Sequence, residues 1–570
     1  ATHSTASAQV HRRRAVLALV LQPGESCEAL LKIPYVALDG PAELRALRAL
    51  DFDRCRRAAA AFWRAENRRG SQLHTPEPAL DAVYAAHLTH AEIADVGMPG
   101  RPDLVNTSVG TSTYGNYSNE ACMIVNELDR RGLHAEARRR LAVWIAYQGT
   151  VEQPGNFTDY RGMFYGAGGF ETGAYNQHHG WVLWCLAEHY TLTRDAAWLR
   201  SGAAALVAGA DWVFRQRRNT QRTLPHSRGW ERGFLPAGSL EDVTDFHYWL
   251  STNALTWRGA DRAARALAAI GHPEAPRLRR ESDAYKADLI RGLETSRRHA
   301  PLVRLRDGRW VPHYPSRLYV RGRGYGWIRE VLEGAVYLLL SGLYDARSKE
   351  AGWILDDYQD NLYMNPPYGY PVPDPERTFP ARGGFSMQPN LLAGLLPHLD
   401  RDEPDVYLWM FFNAFASCYR EEINGLIEHP APELGFSNAT AIKTSDEANA
   451  VSWLRAMLVS WSSAGLHLGR ALPRAWLADG LGAEITKAAT PYGEVAARWV
   501  SHAARGRIRL VATLGSPANA PRWLARFRHP AGAPLRSVRV NGRRWRRFDP
   551  RTGDVDLTGR RGRLTIDARY

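Results

Sequence analysis

Between about residue 51 and residue 475 apolar positions recur at helical spacing, and the helical segments come in pairs. "PEPALDAVYAAHLTHAEIADVG" is opened by Pro and closed by Gly, the usual punctuation of a helix. "YSNEACMIVNELDRRG" and "HAEARRRLAVWIAYQG" follow, joined by a very short turn. In several pairs one member is apolar nearly all round, as in "WVLWCLAEHY" and "GAVYLLLSGLYD", while its partner keeps a polar face. The first kind must be buried and the second belongs outside. The connections alternate as well. Tight turns such as "TRDAAW" exchange with long Gly- and aromatic-rich loops such as "EQPGNFTDYRGMFYGAGGFETGAYNQHHGW". Loops that long in a compact domain are usually functional, and if all of them precede inner helices they gather at one end of a closed double ring.

The pattern changes near residue 476. "IRLVATL", "RSVRVNGRRWRRFD" and "RLTIDARY" alternate with the period of strands and are spaced by turn residues, which predicts a small β-sandwich over 476–570. At the other end, "HRRRAVLALVLQPGES" imitates a leader, but its apolar run is short and the text beyond alternates; a strand pair is the better expectation. The predicted organisation is therefore a β fragment over 1–45, a mainly helical (α/α)6 toroid over 46–475 and the C-terminal β-sandwich.

Composition narrows the function. A chain of 570 residues with 45% hydrophobic and 23% charged residues is that of a globular protein. No apolar segment is long enough to span a membrane, and neither a cytoplasmic nor a secreted location follows. The net charge of +14 is carried by scattered Arg without a nucleic-acid-binding motif, so an anionic substrate is a better expectation than nucleic acid. Five widely spaced cysteines form no CxxC or Cys/His pattern. "YGAGGFETG" and "RGRGYGW" are not nucleotide loops, since neither follows a strand of a βαβ unit. Adjacent His178 and His179 diverge on a helix, and His87 and His90 have better spacing but no carboxylate or Cys completes a ligand set; no metal is expected.

Three acids crowd into "GSLEDVTDFHYWLSTNAL" where a Gly/Pro-punctuated loop is expected to become a helix. Like charges at Glu241, Asp242 and Asp245 disfavour ionisation, which suits a general acid. In "KTSDEANAVSWLRAML", Asp446 and Glu447 occupy the first turn of a predicted helix, whose dipole favours the charged form and suits a base. Each segment also reads as a capping box, Ser239 to Asp242 and Thr444 to Glu447. The helix pairing, "GGFETGAYNQHHGWVLW" and these two acidic segments resemble the six-hairpin glycosidases, the superfamily of α-L-rhamnosidases, α-L-fucosidases and kojibiose phosphorylases, over roughly residues 51–570. That resemblance implies a glycoside hydrolase acting on a poly- or oligosaccharide by an inverting two-carboxylate mechanism without a cofactor, with Glu241 or Asp242 as acid and Glu447 or Asp446 as base. Candidate substrate contacts are Glu171, Gln177, His178, His179, Tyr117, Trp181, Trp249, Tyr325 and Trp327, with the aromatic rings as stacking walls and the polar groups for hydroxyls. A lyase or epimerase on the same toroid, or a glycan-binding protein without turnover, are the competing expectations.

Overall fold

The structure is a computed structural model; it describes residues 6–11, 14–27, 31–111, 114–222, 227–240, 243–322, 334–363, 389, 394–428, 442–462, 465–515 and 522–570. These residues divide into two compact units, 1–66 and 67–570.

In the first unit, strands Ala6–His11 and Arg14–Leu19 form the expected antiparallel pair, Ala6 opposite Leu19. Two helices follow, α1 (Pro41–Ala49) and α2 (Phe52–Glu66). Lys32 Nζ donates to the Arg48 carbonyl at 2.6 Å, one of the orphan acceptors at the end of α1. The expected boundary at residue 45 thus falls inside α1. The pairing of helices begins later than expected, because α2 groups with residues 1–66.

The second unit alternates outer and inner helices. α3 (Pro78–Ala94), α5 (His134–Ala146), α7 (Ala196–Gln221), α9 (Ala275–His299), α11 (Lys349–Asp357) and α13 (Pro404–Cys418) are the outer set. α4 (Ser118–Arg130), α6 (His178–Thr193), α8 (Leu250–Ala269), α10 (Val336–Leu340), α12 (Leu395–Arg401) and α14 (Thr444–Leu458) are the inner set. Inner neighbours pack in the order α14, α4, α6, α8, α10, α12, and α13 touches both α12 and α14, which closes the ring. This is an (α/α)6 toroid. The helices apolar all round are inside it; α6 buries nearly every residue, whereas α9 keeps a charged face.

Turns from inner to outer helices are short, such as 131–133 and 194–195. The connections into α4, α6 and α8 are longer, 95–117, 147–177 and 222–249. Alternation around the ring turns the inner N-termini toward one end, where the described parts of these connections lie.

Strands begin directly after α14, at Val459–Ser462, earlier than residue 476. A four-stranded sheet runs Val459–Ser462, Gly465–Leu468, Trp523–Arg526, Asp554–Asp556. A seven-stranded sheet runs Arg543–Trp545, Ser537–Val540, Gly562–Arg569, Arg507–Leu514, Val495–His502, Gly482–Ala488, Gln72–His74. Its last strand comes from the far end of the unit: Leu73 pairs with Ile485, so the segment ahead of α3 is stitched to the C-terminal sheet. The alternating inward residues of both sheets share the toroid's apolar core.

α6 and α8 approach most closely through glycine. A Cβ on Gly180 would lie 2.5 Å from the Thr256 backbone nitrogen, and one on Gly259 would lie 2.6 Å from the Gly180 carbonyl oxygen. Gly202, on outer helix α7, has only ordinary contact distances around it. We expect Gly180→Ala to cost about 1–3 kcal/mol by forcing the two inner helices apart. Gly202→Ala should instead gain up to about 1 kcal/mol from helix propensity. Urea midpoints that move in opposite directions would verify this; equal shifts would refute the close approach.

Candidate functional site

The loop-bearing end of the ring gathers polar side chains from helix starts that are distant in sequence. Glu120, in the first turn of α4, accepts from Ser445 Oγ at 2.6 Å and pairs with Lys443 Nζ at 2.9 Å. Lys443 is the N-cap residue of α14 and also reaches Glu428 at 3.5 Å. Its ammonium lies over the Tyr114 ring, 3.8 Å from the centroid, with Tyr117 at 5.8 Å. Burial alone would discharge Lys443, but the Glu120, Glu428 and Asp446 carboxylates outweigh it and hold the ammonium above its ordinary range. Glu120 and Glu428 keep 11% and 21% of their side chains exposed, so both carboxylates sit at the edge of the solvent. An aromatic run continues from this cluster: Tyr114 meets Tyr117 at 5.9 Å and Tyr117 meets Tyr175 at 5.7 Å between centroids. Tyr117 and Tyr175 pack with Leu240, Val243 and Trp249 in a small apolar cluster of their own.

Asp446 and Glu447 lie directly behind this cluster, both 0% exposed. Glu447 is not spent on a capping box, and α14 has no side-chain cap. Its carboxylate accepts from the Leu426 N–H at 3.1 Å and contacts His90 Nδ1 at 2.9 Å and His87 Nδ1 at 3.3 Å. Burial would raise the carboxyl, yet hydrogen bonds from the two histidines hold it below its ordinary value; burial meanwhile lowers His87. A carboxylate thus does join His87 and His90, supplied by a helix some 360 residues away in sequence. Among the described residues no group of three or more His, Cys, Asp or Glu is disposed to hold a metal ion.

Glu241 and Asp242 lie outside the described residues, as do Tyr325 and Trp327. The text around the first two is not a helix start. Gly238–Leu240 and Val243–His247 are paired strands with Leu240 opposite Val243, and α8 begins only at Leu250. Ser239 is accordingly a strand residue whose hydroxyl donates to the Ala174 carbonyl at 2.6 Å, and Asp245 is exposed on the second strand.

Several expected substrate contacts are instead committed to the protein's interior. His178 Nδ1 accepts from the Asn119 N–H at 3.1 Å, with its Nε2 3.2 Å from the Thr172 carbonyl. His179 Nδ1 accepts from the Phe164 N–H at 2.9 Å, with its Nε2 3.2 Å from the Gly209 carbonyl. Both rings are therefore neutral Nε2–H tautomers with no atom left for a sugar hydroxyl, and burial pushes each down to about 3. Glu171 holds the glycine-rich turn, accepting from the Ala167 and Gly169 N–H groups at 2.8 and 3.0 Å. Trp181 is a core residue stacked on Trp184 at 4.8 Å. Trp249 is buried, and its indole N–H donates to the Gly238 carbonyl at 2.9 Å. Gln177 is buried at the start of α6, and its side-chain oxygen has no hydrogen-bond partner among the described residues. Of the expected contacts, Tyr117 borders the carboxylate cluster. Glu120, Lys443 and Glu428 escaped sequence reasoning. Glu120 carries the same signal as Glu447, an acid in a first helical turn after a long loop; Glu428 carries none.

No family model matches the chain, and no curated protein matches it. Solved structures similar to it include a GH78 family rhamnosidase of Bacillus sp. GL1, at 12% identity and TM-score 0.45, over 76% of this chain and 40% of that one. A bacterial glucoamylase complexed with acarbose is similar at 13% identity and TM-score 0.46, over 72% and 60%. A metal-independent α-mannosidase of Streptococcus pneumoniae is similar at 10% identity and TM-score 0.44, over 66% and 94%. The chain therefore spans less than half of the rhamnosidase and more than half of the glucoamylase. Its own architecture is an (α/α)6 double ring followed by sheets.

The two neutral histidines make stability depend on pH. Their folded-state values near 3 lie below the ordinary 6.5, so in between the unfolded chain takes up protons that the folded chain refuses. Stability is complete above 6.5 and should fall on acidification, by on the order of 1 kcal/mol per pH unit for each ring. His179→Asn keeps an acceptor for the Phe164 N–H but cannot titrate. Denaturation curves at pH 7 and pH 5 should show a shallower pH dependence in that variant; an unchanged dependence would contradict the assignment.

Proposed function

We propose that the protein hydrolyses glycosidic bonds in an oligo- or polysaccharide held at the loop-bearing end of the ring. The observation that carries this reading is the cluster of Glu120, Lys443 and Glu428 beside the Tyr114–Tyr117–Tyr175 run: carboxylates at the edge of solvent next to aromatic faces, which suits sugar C–H groups. Inversion needs one carboxylic acid for the leaving oxygen and one carboxylate for water, on opposite sides of the ring. Glu120 and Glu428 contact the same ammonium at 2.9 and 3.5 Å, so their contacting oxygens are closer than the roughly 6.5 Å at which inverting pairs begin. They belong to one side. We assign Glu428 to activate water, with Lys443 and Glu120 fixing it. The acid is Glu241 or Asp242, whose described neighbours Leu240 and Val243 pack with Tyr175 and Tyr117.

In this reading Asp446 and Glu447 do not meet the substrate. The negative charge of Asp446 helps keep Lys443 an ammonium, and Glu447 anchors the start of α14 to α3 through His87 and His90. The lyase reading loses support, because the imidazoles of "YNQHHGW" are neutral and fully engaged.

The test is digestion of a panel of neutral and uronic-acid glycans, with reducing ends and the ultraviolet absorbance of unsaturated products read together. The parent should release saturated reducing ends. Glu428→Gln, and one of Glu241→Gln and Asp242→Asn, should each lower the rate on the order of 10²–10⁴-fold. Parental rates in Glu428→Gln would refute the assignment, unsaturated product would make the protein a lyase, and binding without turnover would leave a glycan-binding protein.

A further inference from the structure

A second group of aromatic residues lies on the same end of the ring, beside the start of α8. Segment 316–318 is bonded to the residues leading into that helix. The Leu250 N–H donates to the Ser316 carbonyl at 2.9 Å, and the Leu318 N–H donates to the Tyr248 carbonyl at 3.1 Å. The next residue, Tyr319, has φ of 68°, a left-handed backbone that a bulky aromatic residue adopts only when its surroundings impose it.

Three contacts impose it. The Tyr319 hydroxyl donates to the buried Glu231 carboxylate, which also accepts from the Ser227 hydroxyl. The same phenol oxygen accepts the Trp230 N–H at 3.0 Å. One face of the ring is stacked on Trp230 at 4.8 Å and 13°, and Trp230 is itself backed by His299 at 4.6 Å. The hydroxyl is thus fully engaged, yet 38% of the residue remains exposed. Phe246, on the strand that leads to Tyr248, is exposed as well.

A buried carboxylate and a strained backbone are costly means of holding a surface ring, and a merely structural tyrosine needs neither. Rings locked by such a supporting shell are what a stacking subsite requires, because rigid presentation spares ordering entropy on binding. We propose that Tyr319 presents its open face to a pyranose ring, forming a glycan subsite on the α8 side of the mouth, with Glu231 and Trp230 as its positioning residues. The inference rests on the glycan reading above and adds where a chain extending from the Glu428 side is held. Its geometry selects a sugar face of C–H groups, with no demand for charge.

The experiment is titration of the full-length Glu428→Gln protein with gluco-, manno-, xylo- and galacturono-oligosaccharides of two to six units, by calorimetry and tryptophan fluorescence. Tyr319→Asn in the same background removes the ring and tolerates the left-handed backbone. Affinity for the longest bound oligosaccharide should fall about tenfold at a protein concentration and temperature where the variant remains folded, and the fluorescence change on binding should be absent from Trp230→Phe. A loss smaller than about threefold, at a level that ring stacking exceeds, would overturn the subsite. So would a fluorescence change that persists without Trp230, a readout that stands even if the Asn variant folds poorly. If the parent chain binds no oligosaccharide of the panel, the glycan reading falls and the subsite with it; if binding occurs but turnover does not, the subsite stands on its own.

Discussion

The ring is closed by two buried serine–glutamate hydrogen bonds. Ser445 and Ser452 of α14 donate to Glu120 and Glu127 of α4 at 2.6 and 2.7 Å. The positions are one heptad apart on each helix and run in the same direction, so helices more than 300 residues apart in sequence are locked parallel and in register. Apolar packing alone would allow α14 to slide along α4, since one buried aliphatic row resembles the next. A slip of one turn would strand two carboxylates without these partners in the interior, a far larger penalty than a lost van der Waals contact. Glu127 extends the lock, because it also accepts from Arg131 Nε at 2.7 Å and Arg131 lies over the Tyr84 ring of α3 at 3.7 Å. The register then has a chemical consequence. It brings Lys443, one step ahead of α14, to Glu120, in the first turn of α4.

Parallel inner helices also set the electrostatics of the mouth. Each directs the positive end of its dipole toward the long loops, and carboxylates near such ends are stabilised. Glu120, Asp446 and Glu447 all occupy first turns. At α6 the same place is taken by neutral histidines that bond to backbone groups, and at α8 by apolar and hydroxyl residues. Among these first turns, negative charge is therefore concentrated at α4 and α14. Lys443, placed within it, touches Glu120 from the first turn of α4 and Glu428 from the loop ahead of α14.

The helix pairs were legible because their signal is local: all-round apolarity in α6 against a charged face in α9 survives whatever the partners are. The long loops were legible for the same reason. Roles within the site were not, because each depends on contacts made across hundreds of residues. Glu447 reads as a capping box over four residues and becomes the acceptor for His87 and His90 only after the ring closes. His178 and His179 read as polar groups facing a sugar, and it is the folded loops 163–173, α4 and α7 that consume their nitrogens. "SLEDVTD" has the serine and acids of a helix start, yet on its described sides Gly238–Leu240 and Val243–His247 pair as strands; a paired ladder outweighs a local propensity of a fraction of a kcal/mol. Gln72–His74 is too short to announce a strand and is one only because Gly482–Ala488 offers it an edge.

Satisfaction of polar groups separates the architectural residues of this mouth from those that remain available for chemistry. Glu447, His178, His179 and Trp249 have their polar atoms bonded inside the protein, so recruiting any of them to a substrate would break a contact that holds a helix start or a loop. Glu428 differs: it is tied to Lys443 at 3.5 Å and keeps 21% of its side chain exposed. Tyr319 follows the same logic with a ring in place of a carboxylate, its hydroxyl and one face committed while 38% of the residue remains exposed. A group fixed by one half of its bonding capacity and exposed by the other is preorganised without being consumed. That condition, rather than acidity or aromaticity in the sequence, is what selects among the many acids and rings that crowd the start of each inner helix.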